Sequence, residues 1–260
     1  MKRKKSYAVI TGASSGIGRE FSKRMAAEGY NLVLVARRVN ILNELKDELE
    51  KIGINVRIVK ADLSDIEGCN KLLQSINKLP VHVFINNAGF GDCGYFMEQN
   101  VDKEMSMIDV NIKAMHYLTK HILKYMDKYN TGYILNVASS AGLFPAGPYM
   151  STYYATKAYV TSFTRGIASE LKDKGSKIYV GCLCPGPVDT EFNDVANVEF
   201  ALKGISTSYC VDYAVRKMKK RQVVIIPTLK MKMAICLGRF IPQDICIKFT
   251  AHQQKKKISI

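Results

Sequence analysis

The sequence predicts an α/β fold in which helices cover both faces of one parallel sheet of seven strands. Short apolar runs rich in Val, Ile and Leu alternate with helix-like segments along the chain. These runs lack the regular polar–apolar alternation of a strand with one wet face, so they indicate strands buried on both faces. Alternating strands and helices are typical of a doubly wound sheet with right-handed crossovers, and 260 residues are enough for one such domain.

The predicted strands are, in chain order, residues 7–11, 31–36, 55–60, 82–86, 133–138, 177–184 and 223–227. The segments between them have helical periodicity; in residues 41–52, for example, Leu42, Leu45 and Leu49 recur on one face. No internal repeat or low-complexity linker divides the chain. We therefore expect a single domain, in which residues 1–227 form the main body and a basic C-terminal segment, residues 228–260, packs on it.

The positive charge of the chain is concentrated at its ends. The formal net charge is +15, and residues 201–260 hold 13 Lys and Arg but only two acidic residues. Such a segment can face a polyanionic cofactor, an acidic partner or an anionic membrane, or can be a solvated surface. Nucleic acid is not an expected partner, because Phe240 and Phe249 are the only tail aromatics available for base stacking.

Cysteine and histidine usage predicts free thiols and no metal site. The seven cysteines have no paired spacing, and neither they nor the four histidines show metal-ligand spacing. The start of the chain has no long apolar signal region, so we expect a cytoplasmic protein. Residues 129–156 carry no charge, but glycines and prolines interrupt them, which argues against a transmembrane helix.

A glycine-rich turn predicts a dinucleotide site. Residues 11–18 read T-G-A-S-S-G-I-G, after a predicted strand and at the start of a helix. Glycines allow a tight turn whose backbone N–H groups approach a pyrophosphate, and the helix N-terminus adds positive potential.

Two arginines after the second strand favour NADP(H). An acidic residue near this point binds the ribose hydroxyls of NAD, whereas Arg accommodates the 2′-phosphate of NADP. Here Arg37 and Arg38 occupy the position and the acid is missing. The guanidinium fork donates parallel hydrogen bonds to phosphate.

A tyrosine and a lysine four residues apart predict an acid/base pair. Tyr153 and Lys157 share one helix face, whereas the residue four after Tyr154 is Ala158. A neighbouring ammonium group stabilises phenolate, so we expect a lowered pKa for Tyr153 and a role in proton transfer.

Taken together, these motifs resemble those of the short-chain dehydrogenase/reductase family in its form of roughly 250 residues. The resemblance covers about residues 6–227 and implies a Rossmann fold. Further segments match in the family's order: Asp62-Leu63, Asn86-Asn87-Ala88-Gly89, Asn111, the serine motif at 136–142, and Cys184-Pro185-Gly186-Pro187-Val188-Asp189-Thr190.

The resemblance implies a role for each matching residue. The catalytic residues would be Asn111, Ser139, Tyr153 and Lys157, with Asn111 holding a water, Ser139 bonding the substrate oxygen and Lys157 also binding the nicotinamide ribose. The cofactor would contact Gly12, Ser14, Ser15, Gly16, Ile17, Gly18, Arg37, Arg38, Asp62, Leu63, Asn87, Val188 and Thr190. Arg37 matches the main ligand of the 2′-phosphate, with Arg38 as its helper.

The choice of serine depends on register. Gly142 lies three residues after Ser139, which matches the family's S-x-A-G form, whereas the usual distance to the tyrosine selects Ser140. We choose Ser139 and infer one extra residue in the loop 143–152.

These observations predict an NADP(H)-dependent oxidoreductase that moves a hydride between the cofactor and a ketone or secondary alcohol. A 3-oxoacyl thioester and a steroid or other lipophilic ketone are the alternative substrate classes. Apolar residues in the loop 189–207 favour a lipophilic compound: Phe192, Val195, Val198, Phe200 and Leu202. The competing hypotheses are a non-catalytic NADP-binding sensor or scaffold and a membrane-surface protein on the same fold; the complete set of catalytic residues argues against the sensor.

The C-terminal segment allows several interpretations. Apolar residues lie between its charges: Leu229, Ile235, Leu237, Phe240, Ile245, Ile247 and Phe249. We expect them to pack on the body and to cover the substrate pocket or a partner subunit in a homo-oligomer. Contact with an anionic membrane is less favoured, because no clean apolar helix face is visible.

Overall fold

A computed structural model describes residues 6–191 and 204–255. The strands are β1 Tyr7–Thr11, β2 Asn31–Ala36, β3 Val56–Lys60, β4 Val81–Asn86, β5 Gly132–Val137, β6 Ile178–Leu183 and β7 Val224–Ile225. They form one seven-stranded parallel sheet in the order β3-β2-β1-β4-β5-β6-β7. The predicted doubly wound α/β fold is confirmed: the bounds of β1 and β2 match the prediction, and those of the other strands shift by at most two residues.

Helices lie on both faces of the sheet. The α-helices of the described residues are α1 Gly16–Ala27, α2 Val39–Glu50, α3 Ile66–Ile76, α4 Val101–Ile108, α5 Met115–Asp127, α6 Ser151–Asp173, α7 Thr207–Lys219, α8 Leu229–Gly238 and α9 Gln243–Lys255. A π-helical turn, Asp109–Ala114, joins α4 to α5.

Each face of the sheet has its own apolar core. Phe21 of α1, Leu45 of α2 and Val211 of α7 are buried on one face, together with Ile10 of β1. Leu72 of α3, Leu118 of α5 and Leu171 of α6 are buried on the other face, together with Val9. Successive β1 residues thus enter opposite cores, which explains why the strand sequences are continuously apolar.

The order of the strands places a crevice at the carboxyl edge of the sheet. β1 pairs with β2 on one side and with β4 on the other, so the chain reverses its direction of winding between them. Ligands of open α/β sheets bind at such a switch point. The glycine-rich turn after β1 therefore opens into this crevice.

The C-terminal segment forms two helices connected by a short turn that contains Pro242. The Pro242 carbonyl accepts hydrogen bonds from the N–H groups of Ile245 and Cys246, so the proline starts α9 after the chain has turned. Among residues 6–191 and 204–255, no helix has the length and apolar character needed to cross a bilayer. The uncharged run 129–156 instead contains β5, a 3₁₀ turn and the start of α6.

Candidate active site

The glycine-rich turn is shaped by two residues with left-handed backbone and one close packing contact. Gly12 and Gly16 have φ of +65° and +50°, which favours glycine. A Cβ on Gly18 would lie 2.2 Å from the Gly12 carbonyl oxygen, so only glycine lets α1 approach the turn this closely. The start of α1 therefore opens into the crevice, with Ser14, Ser15 and Ile17 lining it beside the two left-handed glycines.

Asn87 and Thr11 fix the turn against the end of β4. The Thr11 hydroxyl oxygen accepts hydrogen bonds from the N–H groups of Asn87 and Ala88 at 2.8 and 2.9 Å. In return, the Asn87 Nδ2 donates to the carbonyl oxygens of Thr11 and Gly12 at 2.9 and 3.3 Å. Asn87 thus braces the turn as well as lining the crevice.

The two arginines have different neighbours. Arg38 donates to the Ser14 hydroxyl from Nε and Nη2 at 3.3 and 3.1 Å, and its Nη1 lies 3.0 Å from the Glu191 carboxylate. Arg37 Nη1 lies 3.6 Å from Asp62 Oδ2, with a mostly exposed side chain. Both guanidinium groups border the crevice, and Arg38 is the one that reaches the glycine-rich turn.

Asp62 is kept ionised beside Arg37. Burial acts to raise its pKa, but hydrogen bonds from the Ser64 N–H and hydroxyl and the charge of Arg37 outweigh burial and lower the pKa of Asp62. Leu63 is buried beside it. The pair forms an apolar wall with one anionic edge, which fits an adenine base.

Val188 and Thr190 approach the turn from the other side. Val188 forms a parallel bridge with Ile205 and is buried. The Thr190 Cβ and Cγ2 lie 3.1 Å from where a Gly16 Cβ would be. The segment after β6 therefore closes over the start of α1.

Tyr153, Ser139 and Lys157 meet at the floor of the crevice. Ser139 shares a hydrogen bond with Tyr153, and the Lys157 Nζ lies 5.7 Å from the centre of the Tyr153 ring. The Lys157 Nζ also donates to the Val137 carbonyl oxygen at 3.0 Å. The single helix α6 thus brings Tyr153 and Lys157 to the ends of β5 and of the serine motif.

Burial dominates the titration of this group. It raises the pKa of Tyr153 to about 12, although the hydrogen bond with Ser139 lowers it, and it lowers the pKa of Lys157 to about 8. This is opposite to the direction that the tyrosine–lysine spacing predicts for Tyr153. The reason is that the ring lies deep in the protein, where loss of hydration disfavours phenolate.

Asn111 lies in the π-helical turn and is fully buried. Its Oδ1 accepts from the Phe90 N–H at 3.2 Å, and its Nδ2 donates to the Phe90 carbonyl oxygen and the Thr156 hydroxyl at 2.9 and 3.1 Å. A Cβ on Gly89 would lie 2.7 Å from Asn111 Oδ1 and 3.3 Å from Lys157 Nζ. Gly89 therefore lets Asn111 and Lys157 approach the end of β4; π turns often occur at functional sites.

Ser139 and Ser140 both line the crevice. The Ser139 hydroxyl oxygen accepts from the Ala141 N–H at 3.1 Å while the same side chain meets Tyr153. The Ser140 N–H donates to the Pro185 carbonyl oxygen at 2.8 Å. This geometry supports the choice of Ser139.

The whole crevice, from the glycine-rich turn to the C-terminal helices, forms one cavity of about 1600 Å³, and apolar side chains line its far end beside Tyr153. Six of the lining residues that sequence reasoning missed are Phe90, Phe144, Met150, Tyr154, Met231 and Gln254. Met150, Tyr153 and Tyr154 belong to one buried cluster that Phe90 and Phe144 cover. Among the sequence signals, only the expectation that the C-terminal segment covers the pocket pointed toward Met231 and Gln254.

The two C-terminal helices line the cavity, but few of their apolar residues pack on the body. Of the seven apolar residues expected to pack on the body, Ile235 is buried and Ile247 is half-buried. The other five are exposed, four of them on α8 and α9 and Phe240 in the turn between these helices: Leu229, Leu237, Phe240, Ile245 and Phe249. The loop residues Phe192, Val195, Val198, Phe200 and Leu202 lie outside the described residues.

The described side chains fit a nicotinamide dinucleotide better than a metal. A glycine cradle that a Cβ would fill, a pair of arginines and a buried Tyr–Lys–Ser group follow one another along the crevice. Within the described ranges, no group of three or more His, Cys, Asp or Glu side chains could hold a metal ion.

Comparison with known proteins gives one family. The sequence pattern of the short chain dehydrogenase family matches residues 6–199. An oxidoreductase of Staphylococcus saprophyticus with uncharacterised activity is 38% identical over 74% of this chain and 77% of its own length.

Two relatives with a named substrate are longer than this chain. The very-long-chain 3-oxoacyl-CoA reductase of Anas platyrhynchos is 31% identical over 75% of this chain and 64% of its own length. The 17-beta-hydroxysteroid dehydrogenase type 3 of Rattus norvegicus is 32% identical over 76% and 64%. The chain therefore spans less than two thirds of either relative.

Solved structures are similar over most of the chain. A short-chain dehydrogenase from Sphingobium yanoikuyae in complex with NADPH has a TM-score of 0.81 and 32% identity over 86% of this chain and 88% of its own. A short chain dehydrogenase/reductase from Burkholderia phymatum in complex with NAD has a TM-score of 0.83 and 25% identity over 91% and 94%. Both nicotinamide cofactors thus occur among similar structures.

Proposed function

The chain belongs to the short chain dehydrogenase family, and from that premise we propose that it is an NADP(H)-dependent oxidoreductase that interconverts a lipophilic ketone and its secondary alcohol. One observation carries this proposal: Ser139, Tyr153 and Lys157 meet at the floor of a crevice that the glycine-rich turn and the arginine pair also line. An acid/base group and a dinucleotide cradle in one cavity are what hydride transfer to a carbonyl requires.

The protein residues supply binding and proton transfer. When bound, the nicotinamide supplies or takes up the hydride. The Ser139 hydroxyl donates a hydrogen bond to the substrate oxygen and holds it beside the Tyr153 hydroxyl. In reduction, Tyr153 gives its proton to that oxygen as negative charge develops there. A pKa of about 12 keeps Tyr153 protonated at neutral pH, which suits the reductive direction.

Lys157 and Asn111 support this step. The Lys157 ammonium group stabilises the phenolate that Tyr153 becomes after it gives up its proton. Asn111, held by Phe90 and Thr156, would hold a water through which the proton is replaced.

Cofactor preference depends on the arginine pair. Arg38 donates two hydrogen bonds to the Ser14 hydroxyl at the edge of the glycine-rich turn. A 2′-phosphate bound at this edge would accept hydrogen bonds from Arg38, either in place of Ser14 or together with it. The NADPH complex of the similar Sphingobium protein supports NADP(H), and the arginines favour it over NAD.

The far end of the cavity favours a lipophilic substrate. Its walls include Phe90, Phe144, Met150 and Met231, which bind apolar groups. The similar proteins named for very-long-chain 3-oxoacyl-CoA and 17-beta-hydroxysteroids indicate two lipophilic classes to test. A homo-oligomeric state and a cytoplasmic location stay predictions.

The direct test is oxidation of NADPH and of NADH against ketosteroids, 3-oxoacyl thioesters and small ketones. We expect turnover with a lipophilic ketone and a higher kcat/KM with NADPH. Binding of NADPH without turnover on any panel member would favour a sensor or scaffold instead.

A further inference from the structure

The two C-terminal helices have an inner side that is fixed to the body. Ile235 of α8 and Cys246, Thr250 and Gln254 of α9 are buried. The Thr250 hydroxyl donates to the Ala146 carbonyl oxygen at 2.9 Å. The helix pair is therefore held in one orientation.

The opposite side of the helix pair presents apolar side chains outward. We call this set the outer apolar stripe, and it consists of Leu229, Met233, Leu237, Phe240, Ile245 and Phe249. The α8 members recur every four residues and the α9 members are four apart, so each helix contributes one continuous line. Phe240, in the turn between the helices, is 84% exposed. Exposed apolar surface of this extent indicates an interaction site.

Basic residues accompany the stripe. Lys230, Arg239 and Lys248 are exposed, and Asp244 is the sole acidic residue of the sequence from 229 to 255. Lys232 instead points to the body, where its Nζ meets the Tyr213 hydroxyl at 2.6 Å. The surface thus combines apolar side chains with positive charge.

The stripe also borders the cavity. Leu229, Lys230 and Phe249 line the cavity from the same helices. A lipophilic ligand that reaches the stripe would therefore lie next to the cavity.

We propose that the outer apolar stripe docks in the plane of an anionic lipid bilayer. The apolar side chains enter the headgroup boundary, and Lys230, Arg239 and Lys248 meet lipid phosphates and carboxylates. Helices of 10 and 13 residues are too short to span a bilayer but suit an in-plane position.

A second copy of this chain fits the surface less well. In a two-fold interface the same patch faces itself, so the four exposed cations of one copy, Lys230, Arg239, Lys248 and Lys255, would approach those of the other with one acid in opposition. An anionic surface neutralises these charges instead.

The test is flotation of the full-length protein with phosphatidylcholine vesicles and with vesicles that also contain phosphatidylserine. We expect binding to the anionic vesicles that weakens with salt. Arg239→Gln with Lys248→Gln should weaken binding on the order of 10- to 30-fold, from ~1 kcal/mol per basic residue. Leu237→Ser with Phe240→Ser should weaken it on the order of 10²-fold. None of these four residues lines the cavity.

A matched control is Ile52→Ser with Tyr129→Ser. Both side chains are exposed and precede β3 and β5, at the amino edge of the sheet away from the stripe, so binding should not change. Binding of NADPH and the melting temperature report whether each variant is folded.

Absence of vesicle binding, or equal loss in the control, would overturn the proposal. A wild-type oligomer that dissociates in Leu237→Ser with Phe240→Ser, without vesicle binding, would assign the stripe to a self-interface. These readouts are independent of turnover, so failure of the proposed reaction leaves the test intact.

Discussion

The Gln254 amide donates a hydrogen bond to the Tyr154 hydroxyl oxygen over 2.6 Å, across 100 residues of sequence. Tyr154 follows the proposed acid/base Tyr153 and lines the cavity, and Gln254 lies near the end of α9. The pair therefore connects the C-terminal helix to the wall of the proposed substrate site. Among the described residues, the buried Gln254 Oε1 has no hydrogen-bond partner, so this side chain is tied to the wall through its amide nitrogen.

We predict that Gln254→Leu raises KM for a lipophilic substrate about 10-fold, because a buried hydrogen bond is lost and the Tyr154 hydroxyl loses a partner. NADPH affinity should stay unchanged, since the cofactor cradle lies at the other end of the crevice. The neighbouring Gln253→Leu is the matched control. Steady-state kinetics of Gln254→Leu, Tyr154→Phe and the double variant should show non-additive effects; additive effects would mean that the two side chains act independently.

Replacement of the proposed acid/base should remove catalysis but not binding. Tyr153→Phe is expected to lower kcat by on the order of 10²–10⁴, the usual contribution of a positioned acid/base, while NADPH binding measured by fluorescence persists. Tyr154→Phe controls for loss of a hydroxyl at the next position and should retain most of kcat. Near wild-type turnover in Tyr153→Phe would remove this residue from the mechanism.

The arginine pair should determine cofactor preference. Arg37→Glu and Arg38→Glu each place an acid where a 2′-phosphate is proposed to lie, so each should weaken NADPH while sparing NADH. Because Arg38 contacts Ser14 and Arg37 contacts Asp62, we expect Arg38→Glu to have at least as large an effect. Lys51→Glu makes the same charge change at the end of α2 and is the control. The ratio of kcat/KM values for the two cofactors is the readout, and an equal loss with both would point to misfolding.

Burial of the Lys157 ammonium group should lower the free energy of unfolding, although activity requires this residue. Its pKa is lowered to about 8 from 10.5, so between these values the unfolded chain binds more protons than the folded one and stability rises with pH. The unfavourable contribution is fully present below about pH 8 and fades toward pH 10.5. We predict that Lys157→Met is inactive yet more stable by about 1–3 kcal/mol near pH 7. Denaturant unfolding at pH 7 and at pH 10 checks this; a gain that does not shrink with pH would have another cause.

The contact between α1 and the glycine-rich turn leaves no space for a side chain. Gly18→Ala would bring a Cβ to 2.2 Å from the Gly12 carbonyl oxygen, so we predict loss of cofactor binding and a lower melting temperature. Gly166→Ala in α6 is the matched control, because nothing lies within 4 Å of the added Cβ. That change should stabilise the protein by about 0.5–1 kcal/mol, since alanine favours helix. Titration with NADPH and thermal unfolding separate the two variants.

The sequence by itself determined the strand pattern and the local motifs. Continuous apolar runs predicted strands buried on both faces, and residues such as Ile10 and Val9 indeed enter the two opposite cores. The four-residue spacing of Tyr153 and Lys157 fixed their common face, because helix geometry depends on local backbone alone. Gly12 and Gly16 were recognisable for the same reason, because a tight turn requires glycine locally, and Gly18 because it packs on the carbonyl of Gly12 only six residues before it.

The tertiary structure decided what depends on packing between distant segments. Burial reversed the expected direction of the Tyr153 pKa shift, because hydration loss is set by everything that surrounds the ring. The contacts of Arg38 with Ser14 and of Gln254 with Tyr154 join segments with no common sequence period. Likewise, only the docking of α8 and α9 on the body decides that Ile235 is buried while Leu237 and Phe240 face outward, since the sequence shows apolar residues on every side of α8.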